Sequence, residues 1–470
     1  MHHDAAVLNA ECTSPWCLRR MRVDLFRRFF VVDLAPLVYG LDSTLWLPTV
    51  LSYATLLAPH DAERVVSYAQ FLPSMVQLVV SILTGPVAAY FSASLKWCIV
   101  FFLLCSAAGN TVYACAGPHA IGHAWALIGG RMLSGAASGA ASLALSYIVM
   151  VASADDRLAA VSLYRAFVGV ALAVGPLLTV PLQLVSFRVG LFAVDSNNAA
   201  AWVMAFFALA LAGVVSMRLR DVHVPHANHF RVRIQHAAER SMRRSWVAAA
   251  AVLVLIAASS FLLADVFFVL SVLLTDAAHW HMSLIASSCV QGAVFGVALV
   301  GSLAAEHVRG WVQRRRRVGP AAGDAEVPEI GVGLVSFVGS VVGLTLVLIA
   351  LRLDEVRRTQ AGALACLLIG CGVMVTAYNV QAASLPSLFS QCLPASARPA
   401  LTPWYAAAVA LGKAGAPLVV QALSRTADGM TGWIVAELVC VGVAVPSVVL
   451  FVCMRGAWCA VVARERRRVG

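Results

Sequence analysis

Apolar stretches of roughly 18 to 30 residues recur about twelve times along this chain, separated by short polar links. A run of about 20 apolar residues spans about 30 Å of hydrocarbon as an α-helix and closes its own backbone hydrogen bonds there. The pattern predicts an all-α membrane protein with spans near 29–57, 65–90, 95–117, 123–152, 158–184, 198–219, 246–275, 282–307, 329–351, 359–390, 399–424 and 431–456. With 61% hydrophobic and 12% charged residues, a soluble enzyme of this length is excluded.

The net charge of +11 would suggest nucleic acid if the basic residues formed one face, but they alternate between links. With the N-terminus in the cytosol, 25 Lys and Arg fall in inside segments and 6 in outside links, while Arg131, Arg165 and Lys413 remain within spans. That bias puts both termini in the cytosol. The run Arg314 to Arg317 lies in an inside link and reads as a topology determinant. No nucleic-acid partner is expected.

The longest inside link divides the chain into two halves of six spans. The expected organisation is a cytosolic segment 1–28, a six-helix bundle 29–219, a linker 220–245, a second, pseudo-symmetric bundle 246–456, and a basic cytosolic tail 457–470. His223, His226, His229 and His236 in the linker lack accompanying cysteines or carboxylates and read as solvated surface. Most of the 12 cysteines lie within spans, where they pack as small apolar residues. No metal or cofactor is expected.

A charge at mid-bilayer costs at least about 2.5–3.5 kcal/mol on insertion scales, so each one needs a partner or a wet cavity. The intramembrane set is Asp33, Asp42, Arg131, Arg165, Asp265, Lys413 and Glu437. Asp33 and Asp42 are nine residues apart, on opposite faces of one helix, so only one can face a central cavity. Asp42, nearer mid-span, is the choice. Arg131, Ser134, Ser138, Ser142 and Ser146 project within an arc of roughly 120° on span four, a stripe a lipid-facing helix would not keep. Asp265 on span seven, the repeat counterpart of span one, is expected to face the first acid across the cavity. Asp42, Arg131, Asp265 and Lys413 thus form the expected polar core. Glu437, followed by apolar residues, is expected to snorkel or pair locally.

Gly135 and Gly139 have GxxxG spacing, which permits close helix approach. Gly175-Pro176 in span five and Gly415 to Pro417 in span eleven occupy corresponding places in the two halves, and paired interruptions of this kind point to moving transporter helices. No catalytic or phosphate-loop motif occurs, so no enzyme is expected, and uphill work would have to draw on an ion gradient.

The segment RMLSGAASG at 131–139 resembles the RxxxGxxxG motif of the fourth span of the major facilitator superfamily, and GVALAVGP at 169–176 is similar to its fifth-span hinge motif. The resemblance implies the superfamily's twelve-helix fold and a role for Arg131 in proton coupling or substrate contact. LWLPTVLSY at 45–53, AGNTVYA at 108–114, Ser146-Tyr147, Asp156-Arg157, LFS at 388–390 and KAGAP at 413–417 are similar to the lysosomal branch linked to neuronal ceroid lipofuscinosis type seven and to vacuolar carriers bearing SPX domains. That branch usually has arginine where Lys413 stands, and its resemblance implies a lysosomal or other endomembrane home. The loop at 85–96 departs from the superfamily's acidic and basic gating motif, and no SPX domain is present.

These readings converge on a monomeric secondary transporter that moves a small solute, an anion by resemblance, through the bilayer by alternating access coupled to protons. An anion conductance and a non-transporting scaffold are the competing expectations.

Overall fold

The computed structural model describes residues 15–90, 94–117, 121–151, 157–189, 192–222, 240–274, 282–297, 299–300, 328–355, 360–393, 398–424 and 430–469. The helices are α1 (Pro15–Thr44), α2 (Leu47–Leu57), α3 (Ala62–Tyr90), α4 (Leu95–Ala114), α5 (Ala124–Gly135), α6 (Ala137–Val151), α7 (Arg157–Leu182) and α8 (Ala199–Arg218). After them come α9 (Arg240–Leu273), α10 (Leu284–Val297), α11 (Pro328–Glu355), α12 (Gln360–Cys392), α13 (Arg398–Ser424) and α14 (Met430–Val469). Between α7 and α8 a two-stranded antiparallel ribbon, β1 (Phe187–Val189) and β2 (Phe192–Val194), pairs Phe187 with Val194. The expected linker histidines and the run Arg314 to Arg317 lie outside the described residues.

Among the described residues nine helices are long and apolar enough to cross a bilayer, and α1 with α2 makes a tenth. The other two expected spans are α5 with α6, and α10, which is described over part of its expected length. Their outer faces are apolar, with Phe206 70% and Val335 73% exposed, as lipid contact requires.

Two expected spans are broken, each for a local reason. Span one bends by 46° between Thr44 and Leu47. Pro48 sits in the first turn of α2, where its missing N–H is tolerated but its ring forbids continuation of α1. The break frees carbonyls in a medium without water. Thr179 of α7 donates its hydroxyl to the Leu45 carbonyl at 2.7 Å, which offsets part of that cost. Span four breaks at Ala136, where tight turns from Ala136 N–H to the Leu133 carbonyl and from Gly139 N–H to the Ala136 carbonyl replace the regular ladder.

The apolar packing places the ends of successive spans alternately at opposite ends of the bundle. One buried cluster holds Phe29, Leu41, Leu103, Ile148, Tyr164 and Met204, all from the first half of the chain. A second holds Val252, Phe337, Phe389, Tyr405 and Trp458, all from the second half. A third contains Tyr53, Val66, Tyr113 and Leu127 together with Phe268, Leu351, Leu367 and Ile434. The core is therefore shared between halves at the end carrying α2 and divided at the end carrying Phe29 and Trp458. Across the halves α3 packs along α13, with further contacts of α2 on α9 and α7 on α12.

The last helix continues to Val469, past the expected end at 456. Trp458 is buried, packs on Phe451 with ring centroids 4.9 Å apart, and donates its indole N–H to the Ala248 carbonyl at 3.0 Å. The first turn of the expected tail is thus part of the second half's core.

Close backbone approach in the first half depends on Gly109 of α4 and Gly130 of α5. A methyl group on Gly130 would fall 2.5 Å from the Tyr113 amide nitrogen and 2.7 Å from the Gly109 carbonyl oxygen. Gly130→Val is expected to destabilise the protein by about 1–3 kcal/mol or more, because two backbones rather than a movable side chain would have to give way. Thermal unfolding in detergent measures it; an unchanged melting temperature would show that α4 and α5 are not in contact there.

Candidate functional site

The break after Thr44 gives α1 a C-terminal end inside the bilayer, and the last carbonyls of a helix carry partial negative charge without intrahelical partners. Arg131 of α5 meets that end. One guanidinium nitrogen donates to the Asp42 main-chain carbonyl at 3.0 Å, and the other lies 3.3 Å from the Asp42 carboxylate. Asn110 of α4 donates its amide to the same carboxylate oxygen at 2.8 Å and also to the Ser106 carbonyl at 3.0 Å. The Trp46 ring covers the guanidinium, its centroid 4.3 Å from the central carbon. Both charged side chains are only 6% exposed. An ion pair so enclosed is held by geometry as much as by Coulomb attraction, since its desolvation cost is large.

A small hollow borders this pair, and a larger one lies beside it. The smaller, with ≈ 70 Å³ of room for water-sized centres, is lined by Asp42, Trp46, Gln70, Arg131, Ser134, Gly135, Lys413 and Pro417, among others. The larger, with ≈ 140 Å³, lies where the three apolar clusters meet and is lined by residues from both halves: Tyr39, Ser43, Gln77, Ser138, Ser142, Tyr164 and Arg165 from one, Tyr378, Asn379, Tyr405 and Lys413 from the other. Tyr39, Ser43, Gln77 and Lys413 line both. Roughly ten waters, or one small organic solute, would fill the larger space.

Lys413 donates to the Tyr39 hydroxyl at 3.2 Å across the halves, and Tyr39 in turn donates to Gln77 at 2.9 Å. Lys413 also stands 5.4 Å from the Tyr39 ring centroid. The Arg165 guanidinium lies 4.6 Å from the ring of Tyr405 and 5.6 Å from that of Tyr164. Among the described residues neither cation has a carboxylate within salt-bridge distance, and no carboxylate lines the larger hollow. The Nε of Arg165 and the hydroxyl of Ser138 are buried without a hydrogen-bond partner among the described residues. A wall with two cations and spare donors can hold an anion.

The structure thus brings Asp42, Arg131 and Lys413 around the smaller hollow and places Asp265 elsewhere. Asp265 faces Glu437 and Cys440 in the second half and lines neither hollow. The reason is the angle of α9: Ala264 and Phe267 border the smaller hollow, and Asp265 turns from them toward α14. Glu437, expected to snorkel or pair locally, is 1% exposed and sits beside Asp265. Asp33 is fully buried with no partner among the described residues and lines neither hollow. The serine stripe survives the break at Ala136: Ser134 borders the smaller hollow, Ser138 and Ser142 the larger, while Ser146 donates to the Ser142 carbonyl at 3.1 Å instead.

The expected packing glycines sit at helix contacts. A methyl on Gly135 would meet the Pro73 carbonyl oxygen at 2.6 Å, one on Gly139 the Phe102 ring at 2.8 Å, and one on Gly175 would collide with the Thr44 side chain. Gly415 is looser, 3.4 Å from Phe261. Helices α7 and α13 run unbroken through Pro176 and Pro417. Sequence reasoning passed over Tyr39, Gln77, Tyr164, Tyr378 and Tyr405, since a tyrosine in an apolar span reads as packing. Arg165 beside Tyr164 was the available signal.

Residues 34–384 match the profile described as Major Facilitator Superfamily. The MFS-type transporter PUL3 of Kluyveromyces lactis is 24% identical over 452 residues, covering 90% of this chain and 96% of that protein. Among solved structures, a D-xylose-proton symporter superposes with a TM-score of 0.64 at 15% identity, covering 90% of this chain and 97% of that one. The human organic anion transporter MFSD10 superposes at 0.61 with 15% identity, covering 91% and 99%.

Removing one partner of the Asp42–Arg131 pair leaves a buried charge uncompensated. Arg131→Ala is expected to destabilise the protein by about 3–5 kcal/mol, whereas the double variant Asp42→Asn with Arg131→Gln recovers most of that loss. Denaturation of the purified variants measures both, and additive losses in the double variant would sink the pairing.

Proposed function

The chain belongs to the Major Facilitator Superfamily, and we propose that this multi-pass membrane solute transporter carries a small organic or inorganic anion by alternating access, coupled to protons. The observation that carries the reading is the larger hollow: Arg165 from the first half and Lys413 from the second line it together, no described carboxylate does, and tyrosine rings rather than acids hold both cations. A solute seated there touches both halves. Its charge would complete the hydrogen bonding of a wall rich in donors, each charge-assisted bond contributing about 1.5–3 kcal/mol.

The divided core supports the alternating part. Where the halves share apolar packing the path is closed, and where their cores separate it can open. Rocking about the solute would exchange the two ends, with α7 and α13, each holding a proline, among the helices that line it. For coupling, a proton reaching Asp42 would cancel the carboxylate that holds Arg131 and free the guanidinium toward the smaller hollow. The arginine bias between links supports cytosolic termini, and the segments at 45–53, 108–114 and 413–417 support kinship with the lysosomal branch and residence in an endomembrane.

Purified protein in proteoliposomes provides the test, with mono- and dicarboxylates, inorganic phosphate and neutral sugars offered in turn. Anion uptake is expected to saturate and to collapse with a protonophore. Arg165→Gln and Lys413→Gln should each lower it by on the order of tenfold or more, while Lys413→Arg keeps it. Preferential uptake of neutral sugars would overturn the anion assignment; current linear in voltage without saturation would favour a conductance, and no flux at all a scaffold.

A further inference from the structure

Away from both hollows, Asp265 of α9, Glu437 of α14 and Cys440 of α14 converge. Glu437 and Cys440 are three residues apart and share one helix face, which the pairing of α9 with α14 turns toward Asp265. One donor atom from each, a carboxylate oxygen or the thiol sulfur, lies within 4.8 Å of the others. Asp265 and Glu437 are 1% exposed and Cys440 is fully buried.

The second observation is that Oδ1 of Asp265 and Oε2 of Glu437 are both enclosed and have no hydrogen-bond partner among the described residues. No described Lys, Arg or His lies within salt-bridge distance of either carboxylate. Two acids packed together in an apolar core must either keep their protons or gain a compensating cation, because no described cation of the protein reaches them there. The site already described cannot supply it, since none of the three lines the hollows.

We propose that Asp265, Glu437 and Cys440 form a structural binding site for a divalent transition-metal ion of the zinc class, which ties α9 to α14 within the second half. The donor set decides the metal class. Calcium and magnesium take oxygen ligands alone, whereas two carboxylate oxygens and one sulfur suit zinc, cobalt and their neighbours. Bonds of about 2.0–2.3 Å in a tetrahedron set donor atoms roughly 3.4–3.8 Å apart, so the cluster needs only a small contraction to bind. On binding, the Cys440 thiol and one of the two carboxyls give up their protons to solvent, so the ion's two charges offset one thiolate and one carboxylate, while the other carboxyl binds through its carbonyl oxygen and keeps its proton. The fourth position of the tetrahedron is left for a water molecule or a further donor. The tie would make the second half a stiffer body, independent of which solute is carried.

The experiment is metal analysis of the purified full-length chain after equilibration with zinc and removal of excess, with cobalt substituted in parallel. The expected result is about one metal per chain, and for cobalt the near-ultraviolet thiolate band with the intense visible bands of tetrahedral coordination. Cys440→Ser and Glu437→Gln should each reduce occupancy by about tenfold or more, whereas Cys289→Ser, at an exposed thiol, leaves it unchanged. A chelator should lower the melting temperature of the unaltered protein and leave that of Cys440→Ser where it was, which holds even if Glu437→Gln fails to fold. Metal-free protein indifferent to chelator would show that the two carboxyls share a proton instead, and metal retained by both ligand variants would place it elsewhere; either overturns the proposal.

Discussion

In hydrocarbon there is no water to solvate a free carbonyl or a lone charge, and every departure from a plain apolar helix must find its partner within the protein. The break at Leu45 and Trp46 shows how far this reaches. Ending α1 inside the bilayer frees carbonyls, and two of them recruit side chains from elsewhere in the fold: the Asp42 carbonyl takes Arg131 and the Leu45 carbonyl takes Thr179. The same arginine neutralises the Asp42 carboxylate, and Asn110 completes it. A single proline in the first turn of α2 thus draws α4, α5 and α7 around the end of α1, and the smaller hollow opens beside it, walled by α1, α3, α5, α9 and α13.

The two polar centres of the membrane interior differ in how charge is balanced. Around Asp42 acid and base are paired, so each can be tolerated while a neighbouring hollow stays accessible. Around Lys413 and Arg165 the cations rest on tyrosine faces and hydroxyls, which stabilise positive charge without cancelling it. A cation held in this way keeps its attraction for an anionic solute. A cation already paired with a carboxylate must first be released. On the proposed reading solute recognition and proton coupling are separate, and Tyr39 and Gln77, which line both spaces, link them.

Much of the fold could be read directly, because the bilayer enforces helix length and hydrophobicity with little freedom. Ser134, Ser138 and Ser142 of span four border the hollows and Ser146 does not, and Asp42 rather than Asp33 borders one. The partners were harder to read. Asp265 was matched to Asp42 by repeat position, yet a few tens of degrees of helix rotation decide which neighbour a residue meets, and here that neighbour is Glu437. The tyrosines of the larger hollow look like packing residues in any single span, and only the convergence of α1, α7, α12 and α13 gives their hydroxyls a common space.

The amino-acid sequence by itself determined that this chain lives in a membrane as a bundle of helices in two halves, since burying a backbone in lipid leaves no other economical solution for a chain so apolar. It also determined which residues would carry charge there. Which charges meet was decided only by the tertiary structure. Pairing energy falls off over a few ångströms, so Asp42 with Arg131, Lys413 with Tyr39, and Asp265 with Glu437 and Cys440 depend on helix rotation and crossing set by contacts far apart in the chain.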